Sequence, residues 1–289
     1  MINLSFVIPV YNEEATIKEL LANISSTCLA SSIIDQYEII VVDDSSSDNT
    51  NKILKEISEI KLIKNLNNFG YGYSLKTGIK QTKYDDIVII DGDGTYPIKY
   101  LDKLLEKYNL GYDLVIGKRT GKNLNSSLFK KIMRSFLKAI VEFSTGKKIA
   151  DINSGFRIIK KKKILNKLNH LSNSFSFTTS MTMSFIYSFY SIGYVDIPYA
   201  LRNESSSSKV NLFKDSLRTL QYIIKVILFY DAIKLFVLIS FFQVVLFLIL
   251  LIGSFFNDIF LIPSVLILIS AIICFCIGLL SEKHRTNEN

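Results

Sequence analysis

Apolar positions along this chain fall into two regimes. As far as residue 120, short apolar runs at 4–10, 37–42, 61–64, 87–90 and 114–116 alternate with stretches whose apolar residues recur at helical spacing. Ile17, Leu20, Leu21 and Ile24 form one such stripe, and Ile53, Leu54 and Ile57 another. Short runs bounded by polar residues predict buried strands, and their alternation with helices predicts βαβ units and a mostly parallel sheet, an α/β fold. Residues 121–210 are less regular. They hold a basic helix around 128–143, a turn at 151–155, a strand at 156–159 and a Ser/Thr-rich stretch at 172–184.

The second regime begins near residue 211. Phe213, Leu217, Leu220, Ile224 and Ile227 repeat at helical spacing, with Lys214, Arg218 and Lys225 on a neighbouring stripe. That predicts an amphipathic helix over 211–233, lying in a membrane interface. A core-facing surface helix is the alternative, and the next segment decides against it. Residues 235–256 and 259–280 are nearly uncharged, each about the ~20 residues needed to cross a bilayer. Asn257-Asp258 reads as a tight polar turn between them. Lys225 and Lys234 flank one side, and Lys283, His284 and Arg285 the other, which puts both ends inside by the positive-inside rule. The organisation expected is a catalytic domain over 1–210, the amphipathic segment, a transmembrane hairpin over 234–281, and a cytosolic tail over 282–289. The short apolar stretch at 4–10 runs through Pro9 into Asn12-Glu13-Glu14 with no cleavage-like site, so it reads as a first strand rather than a signal peptide.

Composition narrows the chemistry. The 289 residues carry a formal charge of +8, which suits nucleic acid, an anionic membrane or phosphate-bearing ligands. The apolar spans favour membrane and phosphate, and no basic patch with interleaved aromatics points to nucleic acid. Three cysteines, Cys28, Cys274 and Cys276, give no disulfide framework and no zinc spacing. The two histidines, His170 and His284, sit in contexts that suggest no catalysis.

Polar residues cluster where the predicted strands end. Tyr11-Asn12-Glu13 follows the first, Asp43-Asp44-Ser45 the second and Asp91-Gly92-Asp93 the fourth. Parallel sheets gather ligands at the carboxyl ends of their strands, so three acidic clusters converge on one rim. Asp91 and Asp93 are a carboxylate pair able to hold Mg2+ or Mn2+ against diphosphate oxygens, with Gly92 and Gly94 permitting close backbone approach. Asp48 reads as a cap for the following helix. Gly70-x-Gly72 lacks the third glycine of a dinucleotide fingerprint, so it reads as a turn opening a helix; Lys76 on that helix is a candidate phosphate neighbour.

Four motifs in order, Val7-Ile8-Pro9-Val10-Tyr11-Asn12-Glu13, Val42-Asp43-Asp44-Ser45, Asp91-Gly92-Asp93-Gly94-Thr95-Tyr96-Pro97 and Ser154-Gly155-Phe156-Arg157, resemble those of family 2 glycosyltransferases. The likeness is nearest to the dolichol-phosphate mannose synthases and their polyprenyl-phosphate hexose transferase relatives. It implies a GT-A fold and an inverting, metal-dependent transfer of a hexose from a UDP- or GDP-sugar to a polyprenyl phosphate at the cytosolic membrane face. It further implies that Pro9, Tyr11, Glu13, Asp43 and Asp44 line the nucleotide, and that Asp91 and Asp93 hold metal and diphosphate. Arg119, Arg202 and Lys209 match the family's phosphate-binding cations. Thr95 departs from the glutamine many synthases carry, and the stretch from Arg202 to Lys209 is longer than usual. A homo-oligomer is compatible with the sequence. The other functions weighed are transfer to a growing glycan or glycolipid, and a non-catalytic membrane subunit, which the intact Asp91 and Asp93 argue against.

Overall fold

A computed structural model describes residues 1–121, 128–199 and 212–288. Seven strands form one sheet in the order β3-β2-β1-β4-β6-β5-β7. They are β1 (Ile2–Val10), β2 (Ile34–Asp43), β3 (Ile60–Lys64), β4 (Asp86–Ile89), β5 (Leu114–Thr120), β6 (Arg157–Lys160) and β7 (Ile192–Pro198). All ladders are parallel except those that β6 makes with β4 and β5. The mostly parallel sheet is therefore as the sequence predicts, and β7 is an addition to it.

Helices cover both faces. Strand β1 shows why: Leu4, Phe6, Ile8 and Val10 point to one side, while Val7 points to the other. The first side receives α1 (Ile17–Ala30) through Ile17, Leu20, Leu21 and Ile24, and α4 (Leu101–Asn109) through Leu101, Leu104 and Leu105. The second receives α3 (Tyr71–Lys80) through Leu75 and Ile79, and α7 (Phe177–Tyr187) through Phe177, Met181 and Phe185. A strand buried on both faces reads as a nearly continuous apolar run, which 4–10 shows with Ser5 its one polar position. The remaining elements of this layer are short: α2 (Thr50–Lys55) and α6 (Lys161–Leu165), with α5 (Leu128–Thr145) matching the expected basic helix.

Helix α7 takes up most of the Ser/Thr-rich stretch 172–184, for which the sequence pattern predicts no element. Every residue from Phe177 to Ile186 is buried, so no amphipathic stripe advertises the helix. Its hydroxyls are satisfied locally: Ser180 donates to the Phe177 carbonyl at 3.0 Å and Thr182 to the Thr178 carbonyl at 2.8 Å.

Contacts divide the chain into Met1–Tyr222 and Ile223–Asn289. Helix α8 (Leu212–Ser254) has non-helical backbone at Asp231, close to the expected end of the amphipathic segment. A 3-10 turn over Asp258–Phe260 leads into α9 (Leu261–Glu288), and Asn257 caps it by accepting from the Ile259 N–H at 3.0 Å. The turn displaces the second helix two residues beyond the expected start at 259. Gln243 donates to Ser270 at 2.9 Å, and a side chain on Gly278 would strike Phe236 at 2.7 Å, so the two helices run antiparallel in close contact. Ser216–Ser254 and Asp258–Lys283 are long and apolar enough to cross a membrane, and their apolar side chains are largely exposed.

Close packing gives the fold a test. Gly78 of α3 lies over β1, where a Cβ would come within 2.5 Å of Val7 Cγ1 and 3.1 Å of Val42 Cγ2. Alanine favours a helix by up to about 1 kcal/mol over glycine, but overpacking a stiff core costs about 1–3 kcal/mol. Gly78→Ala should therefore lower the Tm; an unchanged or higher Tm would show that β1 yields to α3.

Candidate active site

The site lies where the strand order reverses about β1, between the loops that follow β1 and β4. Loops after β1 and β2 are stitched together. Asn12 and Ser45 both adopt left-handed backbone, with φ of 53° and 65°. The Ser47 N–H donates to Asn12 Oδ1 at 2.7 Å, and the Glu13 N–H donates to Thr50 Oγ1 at 2.8 Å. Asp48 is not the expected helix cap: Asn49 holds that position, and Asp48, one residue earlier, accepts from the Thr50 N–H at 3.0 Å. Strained backbone at a strand end signals a functional loop.

Asp43 and Asp44, expected to line the nucleotide, are buried and build the rim. Asp43 accepts from the Ser46 N–H at 2.9 Å and from Asn51 Nδ2 at 2.8 Å. Asp44 accepts from Asn65 Nδ2 and from the N–H groups of Phe69 and Gly70, at 2.6, 3.1 and 2.7 Å. It thus fixes the turn that starts α3, where Gly70 has φ of 101°. Pro9, the last residue but one of β1, pairs with Val42, and Glu13 is buried in the loop that follows. Lys76 faces away from this role, donating to the Leu171 carbonyl and to Asn173 Oδ1, both at 2.6 Å. Burial, with Lys80 nearby, lowers its pKa to about 8.

Asp91 and Asp93 share the loop after β4. Thr16 Oγ1 donates to the Gly92 carbonyl at 3.0 Å, and a Cβ on Gly92 would lie 2.7 Å from Val10 Cγ1, so the loop hugs β1. Thr95 places its N–H and hydroxyl on Asp93 Oδ1, at 3.1 and 2.6 Å. The Tyr71 hydroxyl donates to Asp91 Oδ1 at 2.7 Å. Burial and the Asp91 charge push the Tyr71 phenol up, so it stays a donor. No cluster of three or more His, Cys, Asp or Glu suited to a metal occurs among the described residues. Two carboxylates on one loop fit Mg2+ or Mn2+, which take one or two protein carboxylates and complete their shell with substrate phosphates and water.

Arg119 is the last residue but one of β5, on the same rim. Its Nε and Nη2 each lie 2.8 Å from the Asp151 carboxylate in a bidentate pair, and its own N–H also donates to Asp151 at 3.1 Å. The guanidinium sits 5.5 Å from the Tyr199 ring centre. Burial opposes both charges, but the paired hydrogen bonds prevail, raising the Arg119 pKa and lowering that of Asp151. Arg202 and Lys209 lie outside the described residues. The structure adds Tyr71, Asp151 and Tyr199, which no motif spacing announces, and Tyr96, which lies in the third motif but is given no role by it.

Residues 5–168 match the family described as glycosyl transferase family 2. The chain belongs to that family. Among curated relatives, the undecaprenyl-phosphate 4-deoxy-4-formamido-L-arabinose transferase of Klebsiella pneumoniae (strain 342) is 31% identical over 171 residues, 57% of this chain and 51% of its own. Its namesake from Proteus mirabilis (strain HI4320) is 31% identical over 163 residues, 54% and 48% respectively. The family 2 chain thus spans about half the length of the curated relatives it matches. Among solved structures, glucosyl-3-phosphoglycerate synthase from Mycobacterium tuberculosis in complex with phosphoglyceric acid has a TM-score of 0.59 at 20% identity, over 78% of this chain and 79% of its own. The complex of that synthase with Mn2+, uridine diphosphate and glucosyl-3-phosphoglycerate gives 0.56 at 19%, with the same coverage. This second likeness is one of fold, and the fold is GT-A.

The Arg119–Asp151 pair is sheltered, with the side chains 18% and 10% exposed. Asp151→Ala strands a guanidinium in that setting, and the expected loss of stability is about 3–5 kcal/mol. Chemical denaturation would show it; a midpoint within error of wild type would mean that Arg119 relaxes into water.

Proposed function

We propose that this family 2 protein is a membrane-anchored glycosyltransferase that moves a sugar from a UDP- or GDP-linked donor to a polyprenyl phosphate. The observation that carries this reading is that the loop bearing Asp91 and Asp93 and the end of β5 bearing Arg119 lie at the same edge of the sheet. An oxygen of the acceptor phosphate attacks the anomeric carbon as the bond to the diphosphate oxygen breaks. The carbon inverts, and the nucleoside diphosphate leaves with the electron pair. A lipid monophosphate has its second pKa near ~6 and is largely dianionic at neutral pH, so it needs little general-base help.

When bound, Mg2+ or Mn2+ supplies positive charge to the leaving diphosphate. Asp91 and Asp93 hold it. Pro9, Tyr11, Glu13, Asp43, Asp44 and Gly92 frame the nucleotide. Arg119, Arg202 and Lys209 bring the acceptor phosphate beside the anionic donor, a task suited to guanidinium forks. The named acceptor of the curated relatives, undecaprenyl phosphate, supports the polyprenyl reading. Their named sugar is an arabinose derivative, so the donor screen includes pentoses as well as the hexoses expected from the sequence.

Purified chain, a panel of radiolabelled nucleotide sugars and undecaprenyl phosphate should give labelled extractable lipid. Asp93→Asn and EDTA should each abolish that label, and near-normal transfer under either condition rejects the metal role. The α8–α9 hairpin anchors the protein with the catalytic domain and both termini in the cytosol, as the flanking lysines and arginine favour. Tags at residues 1 and 289 should both resist protease in sealed cells; digestion of one alone would mean an odd number of crossings.

A further inference from the structure

The fourth sequence motif, Ser154-Gly155-Phe156-Arg157, has no part in the chemistry described so far. Its arginine is fully buried, at 0% exposure, and opens β6 in register with Ile89 of β4 and Ile116 of β5. A buried guanidinium is costly unless its donors are satisfied. Here they go to neutral oxygens. Nε donates to the Ser154 carbonyl at 2.6 Å and Nη2 to the Ile152 carbonyl at 2.7 Å. Nη1 donates to the Thr178 carbonyl at 3.1 Å and to Thr182 Oγ1 at 2.7 Å. Arg157 therefore ties the Asp151–Gly155 turn to α7. Thr179 adds a parallel tether by donating to Asn153 Oδ1 at 2.8 Å.

That turn touches both charged halves of the active site. Its first residue, Asp151, grips Arg119. Its last, Gly155, lies against the Asp91 carboxylate so closely that a Cβ would meet Oδ2 at 2.2 Å and Oδ1 at 2.3 Å. The Gly155 N–H donates to the Tyr96 hydroxyl at 2.7 Å, and Ser154 Oγ donates to the Gly117 carbonyl at 2.6 Å. With Tyr71 holding Asp91 Oδ1 from α3, the carboxylate is confined on two sides.

We propose that Arg157 is a positioning residue: its buried fork fixes the turn that sets the Asp91 carboxylate for the cation and the Arg119 fork for phosphate. The inference rests on the metal role proposed for Asp91. It predicts that the fork matters as well as the charge, because lysine keeps the charge but cannot reach four oxygens on two elements.

The test is Mn2+ binding to the full chain in nanodiscs with UDP present, followed by electron paramagnetic resonance, beside steady-state kcat and KM. Circular dichroism and Tm establish that each variant is folded. Arg157→Lys should weaken Mn2+ binding by about 10- to 100-fold, the range for residues that orient metal ligands, and lower kcat while folded. Gly155→Ala, which displaces Asp91 without touching Arg157, should do the same. Should Arg157→Lys fail to fold, Thr182→Val removes one acceptor of the fork and decides the matter with a smaller shift in the same direction.

A folded Arg157→Lys, or in its place Thr182→Val, that loses only Tm while matching wild type in Mn2+ affinity and kcat overturns the proposal and leaves Arg157 a purely structural residue. Failure of the wild type itself to bind Mn2+ overturns the metal reading instead, and kcat alone then judges Arg157. A wild type with neither Mn2+ binding nor transfer overturns both.

Discussion

One reversed strand organises the site. Strands β1, β2, β4 and β5 all finish at the same edge of the sheet, while β6 runs the other way between β4 and β5 and so begins there. The row Ile89–Arg157–Ile116 fixes that crossing. Two residues past Ile89 stands Asp91, two before Arg157 stands Gly155, and three past Ile116 stands Arg119. A slip of register by one residue would turn each inward side chain to the opposite face and separate these groups. That carboxylates and guanidinium stand at one edge is thus a consequence of strand pairing, and the hydrogen bonds of the turn refine it.

Much of this could be read from the chain, for physical reasons that differ by element. Strands β1, β2, β4 and β5 are visible because burial on both faces forces nearly continuous apolar runs, and β3, at the sheet edge, because Leu62 and Ile63 stand between polar stretches. Helices α1 and α5 are visible because only one side of each needs to be apolar. Helix α7 escapes that logic, since a helix buried all round has no polar face to mark its period. Strand β7 escapes as well; residues 192–198 mix Gly193, Tyr194 and Asp196 with isolated apolar positions, and only pairing to β5 makes them a strand.

The site shows the same division. Asp91 and Asp93 are legible because a carboxylate pair directly after a buried strand is expensive without a purpose. Asp43 and Asp44 are legible as important, yet their hydrogen bonds go to the loops that shape the rim, and for Asp44 the distinction depends on partners 21 to 26 residues along the chain. Tyr71 and Asp151 carry no local mark. Tyr71 sits at a helix start twenty residues before the carboxylate it holds, and Asp151 lies 32 residues from its arginine. Nothing in a neighbouring tri- or tetrapeptide encodes such pairings.

The way each acidic group is gripped has a consequence for how the loop meets a ligand. Asp91 has Oδ1 engaged by a phenol from α3, and Asp93 has Oδ1 engaged twice by Thr95. A side chain with a fixed hydrogen-bond partner has given up its rotamer freedom on folding, so less ordering remains to oppose binding. The loop after β4 is thus set in advance by a threonine and a tyrosine.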